Sequence, residues 1–379
     1  MHYIRFLKPP RLLSGRRGNA PSVLKAKVTI TTDLGESFLW ANVDLVVELT
    51  DGTGNDVLER GKGYTWKGSE GMRSLEVELL IPASRGKESG EALRLLVRPK
   101  EEFQAVETFE SFLGDSNEHE DTGEMGGVMA VRSMAIDMPS NQSLPVSTSP
   151  SMAERTFKFG TSEIHIWEET GESIARHIWD AGLLISAYLA SASVPSSRKA
   201  IPPLPYLHKT LSQKDLAVIE LGAGCGIVGI TLCTLFKQQI SQILLTDLPE
   251  ASEILTQNLS SNLSSKNISH QVLDWSSPLP QNVRETQWDM AVVADCTYNP
   301  DVVPDLVQTL RRLGEARARA SASRQMLVLL AMKVRHDSEM VFFELMAEAG
   351  FVVREKCTLP LPVLGGEDEE IEIFVFAMG

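Results

Sequence analysis

The chain is poor in cysteine, lacks long apolar runs and carries no hydrolytic triad. Cys225, Cys233, Cys296 and Cys357 are the only cysteines in 379 residues, and no two form a CxxC pair. Four thiols cannot staple a chain this long, so a secreted disulfide scaffold is excluded and reduced, partly buried thiols are expected. That reading places the chain in the cytosol, with the nucleus as a second compartment. No stretch reaches the ~18–20 apolar residues that span a bilayer, so no membrane insertion is expected. Basic residues are outnumbered, 36 against 50 acidic, for a net charge of −14. A chain of that sign repels a phosphate backbone, so nucleic acid is not an expected partner.

The charge is unevenly spread. Residues 1–100 carry 16 basic and 12 acidic side chains, whereas 101–150 carry ten acids and only Arg132. Five Lys/Arg and no acid fall in the first 17 residues, as in a transit peptide, but Pro9-Pro10 breaks any amphipathic helix there. An ordered basic arm or first strand fits better.

A length of 379 residues exceeds what one core usually needs, so two domains are expected. Segments 25–30 and 75–79 alternate polar and apolar residues, and 38–49 and 93–97 are β-friendly. They define a small β-rich module over 1–100. Residues 101–153 mix acids, Gly, Ser, Asn and Met without periodicity, which predicts a disordered linker, with a short helix near 101–112. From 154 to 379 strands alternate with helices. Strands are expected at 216–221, 241–246, 268–273, 288–294, 325–332, 351–359 and 371–378. Helices are expected at 172–190, 226–237, 249–263, 302–318 and 338–349. The pattern implies a doubly wound, Rossmann-like α/β sheet of seven strands. The closing pair has no helix between its members, so the last strand should run antiparallel to the rest.

Val218-Ile219-Glu220-Leu221-Gly222-Ala223-Gly224-Cys225-Gly226 reads as a buried strand ending in a glycine turn. Two readings compete. Gly224, Gly226 and Gly229 satisfy the dinucleotide fingerprint GxGxxG. Glu220 with Gly222, Gly224 and Gly226 instead forms ExGxGxG, suited to the amino acid and ribose of S-adenosylmethionine. Asp247 closes the next strand and could accept both hydroxyls of a ribose or cap the following helix, which does not decide between cofactors. Asp274-Trp275 closes the third strand, where a carboxylate and an indole suit an adenine. Asp295-Cys296-Thr297-Tyr298 follows the fourth strand, with Asp295 either facing the ligand crevice or capping a helix.

Residues 155–379 resemble the seven-β-strand protein-lysine methyltransferases that carry a DxxY motif. Asp295-Cys296-Thr297-Tyr298 is that motif, ExGxGxG is met at 220–226, and His177-Ile178-Trp179-Asp180-Ala181-Gly182 is similar to the group's Trp-containing helix. Val334-Arg335-His336 is similar to its fifth-strand region. The resemblance implies S-adenosylmethionine as cofactor, contacted by Trp179, Gly222, Ala223, Gly224, Asp247, Trp275 and Ala294. Glu220, Gly226 and Asp274 join that set from the motif reading. It also implies Asp295 and Tyr298 as the residues that orient a substrate amine, and a protein substrate; separately, a monomer is the expected acting unit. Methyl transfer needs no covalent enzyme intermediate, so a missing triad is expected. Lys333 and His336 are expected to be solvated loop residues. Rival functions are a small-molecule N-methyltransferase, an adaptor with a vestigial fold, and a nicotinamide-dependent oxidoreductase.

Overall fold

The computed structural model describes residues 1–13, 21–54, 56–82, 92–113, 127–136, 152–171, 173–193, 201–262, 267–320 and 324–379. Its C-terminal half is built on a seven-stranded sheet. The strands lie in the order Ile268–Val272, Ile240–Asp247, Leu216–Leu221, Met290–Ala294, Leu327–Met332, Glu369–Met378 and Phe351–Leu361. The first five in that row pair in parallel, and Glu369–Met378 inserts antiparallel to both neighbours. Leu216–Leu221 and Leu327–Met332 are buried at every residue, because helices cover both faces. Val218, Leu245, Val292 and Leu329 pack in one cluster with helices Asp180–Ser193, Ile227–Leu235 and Ser252–Asn262. Ile219, Leu244, Val293 and Leu330 pack in the other, with Val303–Ala320 and Val341–Glu348.

Helix starts differ from expectation. The helix expected over 172–190 begins at Asp180, so Trp179 precedes it. The reason is local: Glu168 takes the Ile178 N–H at 3.1 Å, and the Trp179 indole donates back to the Ile174 carbonyl at 3.1 Å. The helices expected at 249 and 338 open as the 3₁₀ turns Pro249–Ala251 and Asp337–Met340.

The N-terminal half is a sandwich of two sheets. One has the order Leu75–Ile81, Ser22–Thr31, His2–Leu13, Val128–Met129, Ala105–Val106. The other runs Ser162–Glu169, Met152–Phe159, Val131–Ser133, Leu93–Pro99, Asn42–Asp51, Val57–Arg60, with Tyr64–Lys67 also paired to Asn42–Asp51. Ile4, Phe6, Val28 and Ile30 of the first meet Val43, Leu45, Val47 and Leu95 of the second in a common core. Lys25 and Lys27 lie opposite Glu78 and Glu76, so outward-facing charges complement each other across the ladder. The basic start of the chain is the strand His2–Leu13.

The stretch 101–153 is not a linker throughout. Val128–Met129 pairs with both His2–Leu13 and Ala105–Val106, Val131–Ser133 pairs with Leu93–Pro99 and Met152–Phe159, and Phe109 and Phe112 are fully buried. The rest of the expected linker, 114–126 and 137–151, lies outside the described residues. A boundary at 153/154 would cut Met152–Phe159, which forms a hairpin with Ser162–Glu169. This hairpin completes the N-terminal sheet. Yet Phe157, Ile164 and Ile166 share a core with helices Asp180–Ser193 and Ile227–Leu235, and Tyr3 joins the same cluster. Asn258 and Asn262, one helical turn apart, bond the N–H and C=O of Trp167 and His165 respectively on the outer strand, at 2.6–2.9 Å. The two halves therefore share one continuous interior.

Candidate active site

The carboxyl ends of the first four strands of the C-terminal sheet open on a cleft of about 570 Å³. Trp179, Gly222, Gly224, Asp247, Asp274, Trp275, Ala294, Asp295 and Tyr298 all line it. The turn after Leu216–Leu221 makes this possible. Gly222, Gly224 and Gly226 take φ of +71°, +55° and +78°, the left-handed region that side chains disfavour. At Gly222 a Cβ would lie 2.4 Å from Cys296 Sγ and 3.4 Å from the Trp275 ring, so a side chain there would invade the cleft wall.

Asp247 is fixed from beneath: Oδ2 accepts the Gly224 N–H and Oδ1 the Leu248 N–H, both at 2.7 Å. It bonds no N–H of the following helix, so the capping alternative is not observed. Burial pushes its carboxyl above the ordinary range, against those two N–H groups. Asp274 is exposed, and its Oδ1 accepts the Ser276 hydroxyl at 2.8 Å and N–H at 2.9 Å, which lowers its pKa. The Trp275 indole N–H is buried and has no partner among the described residues.

Three predicted residues support the cleft without lining it. Glu220 is buried below the turn, where Oε2 accepts the Gly229 N–H at 2.8 Å and braces the helix that follows. Burial pushes its carboxyl up to about 8. Gly226 is the N-cap of that helix, and Ala223 is buried in the core.

Asp295 departs most from the expected picture. Its backbone is left-handed, φ +54°, and its carboxylate is turned inward. Oδ2 accepts the Ala181 N–H at 3.0 Å, while Oδ1 accepts Arg335 Nη1 at 2.9 Å and the Lys333 N–H at 3.3 Å. It does not cap the helix that follows, where Asn299 bonds the Asp301 N–H instead, but it does take a first-turn N–H of helix Asp180–Ser193. Tyr298 stands at the mouth, 51% exposed. Lys333, expected in solvent, is 9% exposed and bonds Asp180 at 2.9 Å and Glu369 at 2.6 Å. His336 is exposed.

Sequence reasoning missed Ile174, Leu248, Glu250, Val302 and Asp305 in the lining, and Arg335 behind it. Leu248 directly follows a strand-end aspartate, a position that could have flagged it. Among the described residues the lining carries five carboxylates, Asp247, Glu250, Asp274, Asp295 and Asp305, and no lysine or arginine. Such a cleft favours cationic ligands. Among the described residues no cluster of His, Cys, Asp and Glu could hold a metal ion.

A seven-stranded sheet with a reversed last strand, and an acidic cleft over its glycine turn, define an S-adenosylmethionine-dependent methyltransferase. The residues suit that cofactor, with a cradle at Gly222 that a Cβ would fill and a free indole donor at Trp275. The chain belongs to the lysine methyltransferase family, whose pattern matches residues 158–349. It is 27% identical to a UPF0665 family protein of Schizosaccharomyces pombe over 350 residues, covering 90% of this chain and 91% of that one. It is 29% identical to protein N-lysine methyltransferase METTL21A of Xenopus tropicalis, covering 50% of this chain and 76% of the relative. It is 31% identical to EEF1A lysine methyltransferase 3 of the same frog, covering 50% and 73%. The chain is thus an S-adenosylmethionine-dependent protein-lysine methyltransferase, and the small-molecule, adaptor and oxidoreductase readings give way to that one.

Proposed function

We propose that this cleft methylates the ε-amine of a lysine entering past Tyr298, with Asp247, Asp274, Trp275, Trp179 and the turn at Gly222 and Gly224 holding the cofactor. S-adenosylmethionine supplies an electrophilic methyl group on a sulfonium. The protein's contribution is position: fixing amine and methyl in line removes much of the entropic barrier, worth up to ~7–11 kcal/mol in well-oriented cases. Tyr298 contacts the amine through its hydroxyl, and Asp295 acts from the cleft wall as the residue that sets the local backbone. A lysine with a reference pKa of ~10.4 must lose a proton before attack, and the surrounding carboxylates oppose that loss. Their service is therefore to attract the cationic side chain, after which water at the open mouth takes the proton. The excess of carboxylates in the lining, of which only Asp295 pairs with an arginine among the described residues, carries this reading and favours a substrate lysine in a basic surface. Two relatives are named for lysine methylation, one of them for EEF1A, so EEF1A is the first substrate to assay. Four buried free thiols suit action in the cytosol or nucleus, and we assign a monomer as the acting unit.

The test is calorimetric titration with S-adenosylhomocysteine and with NAD. Transfer of labelled methyl groups into an extract of cells lacking the enzyme then follows, with the hydrolysate analysed for methyl-lysines. Micromolar or tighter binding of the first ligand alone, with label in lysine, is expected. Binding of NAD instead, or label in another residue type, would refute the reading.

A further inference from the structure

The N-terminal sandwich reaches the cleft wall through one side chain. Asp33 lies in the turn after strand Ser22–Thr31, and its carboxylate is 1% exposed. Oδ1 accepts the Leu34 N–H at 2.9 Å, and Oδ2 accepts Arg335 Nη2 at 2.6 Å. The same guanidinium gives Nη1 to Asp295 at 2.9 Å and sits 5.7 Å from the centre of the Trp179 ring. Asp33 is itself held in place. Arg5, from the neighbouring strand, bonds Thr31 Oγ1 and the carbonyls of Thr32 and Asp33, each at 2.8 Å. The chain running from Arg5 to Asp33, Arg335 and Asp295 is thus fixed at its far end by sandwich backbone.

Geometry and charge indicate what this chain does. Arg335 leaves the fifth strand on a loop, and with Asp295 as sole partner its long side chain could swing with that loop. A second, rigid carboxylate on the other side holds it to one orientation. Asp295 needs that hold, because its left-handed backbone persists only where the surroundings over-determine it. Lys333 Nζ is 3.9 Å from Asp33 and nearer to Asp180 and Glu369, so it does not replace Arg335.

We propose that Asp33 is a positioning residue for methyl transfer: the sandwich holds Arg335 from behind, and Arg335 holds Asp295 at the cleft. The sandwich is then a required part of the active site, not an appended arm. This rests on the reading that Asp295 acts in the transfer.

The experiment uses the full-length chain and four single variants, Asp33→Asn, Arg335→Ala, Arg335→Lys and Asp295→Ala, with the double Asp33→Asn/Arg335→Ala. Initial rates of labelled-methyl transfer to a fixed extract of cells lacking the enzyme are measured at saturating S-adenosylmethionine. S-adenosylhomocysteine affinity and melting temperature are read on the same preparations. Asp33→Asn should lower the maximal rate about tenfold, less than the ~10²-fold that a 1 Å misplacement can cost, with cofactor affinity within about twofold. Arg335→Ala should lose more, Arg335→Lys should recover part of it, and Asp33→Asn should have no further effect in the Arg335→Ala background. An equal loss in both backgrounds overturns the proposal, because Asp33 would then act by another route. So does an unchanged rate in Asp33→Asn when Asp295→Ala is impaired. A full rate in Asp295→Ala would sink the underlying reading instead. If Asp33→Asn does not fold, Asp33→Glu, whose longer arm displaces the same guanidinium, is judged by the same criteria.

Discussion

Replacing Gly222 by alanine tests the cleft wall at its tightest point. The new methyl would sit 2.4 Å from Cys296 Sγ, closer than any real contact, and would touch the Trp275 ring. Two costs arise. An L-residue in the left-handed region at φ +71° loses ~1–2 kcal/mol. Over-packing against a buried thiol adds ~1–3 kcal/mol, because Cys296 lies under 10% exposed and its neighbours cannot move far. Urea unfolding should therefore show a loss of ~2–5 kcal/mol, and calorimetry should show at least about a tenfold weaker grip on S-adenosylhomocysteine. The two costs can be separated. Cys296→Ala removes the obstructing sulfur but leaves the backbone strain, so the double variant should regain roughly the packing part, ~1–3 kcal/mol. Wild-type stability and affinity in Gly222→Ala would refute the geometry of the turn. No recovery in the double variant would show that the thiol is not the obstacle.

Glu220 predicts a pH dependence of stability. Its folded carboxyl is pushed from 4.5 up to about 8, so between those values the folded chain keeps a proton that the unfolded chain has released. This contribution is complete below about pH 4.5 and is lost as the pH rises through about 8; Glu220→Gln should flatten that decline in urea midpoints measured across the range. Deleting residues 1–150 should yield aggregated chain, because Tyr3, Phe109, Phe112 and Met129 share a core with the methyltransferase helices. A soluble fragment that binds S-adenosylhomocysteine normally would contradict that shared interior.

The sheet was legible because the parallel central strands are mostly apolar runs, each followed by a turn and a helix, a signal carried by neighbouring residues. For the same reason eight of the nine predicted residues that line the cleft could be placed, since positions that follow strand ends converge whatever the loops do. Other features depended on distant partners. Val128–Met129 and Val131–Ser133 are two- and three-residue strands, too short to show a period, and their pairing comes from segments far away in the chain. Asp295 was placed correctly at its strand end, but its direction is set by Arg335, forty residues on, and by the Ala181 N–H. Asp33 and Arg335 are 302 residues apart, and neither carries a local mark of the other. Trp179 was assigned to a helix because nothing in its own segment reveals that Glu168 captures the preceding N–H.

The two asparagines that face the hairpin Met152–Phe159/Ser162–Glu169 have a bearing on how such a protein could be recombined. A strand at the margin of a sheet normally offers its free backbone groups to any passing chain. Here the carboxamides of Asn258 and Asn262 occupy those groups at His165 and Trp167, standing in for a missing eighth strand. The margin is sealed by a helix belonging to the other half of the molecule. A sandwich transplanted onto a different methyltransferase would arrive with that margin open and sticky, unless the recipient helix also presents two carboxamides one turn apart. The unit that can be exchanged is therefore the sandwich with its hairpin and its sealing helix, a piece that no cut at a single point in the chain can release.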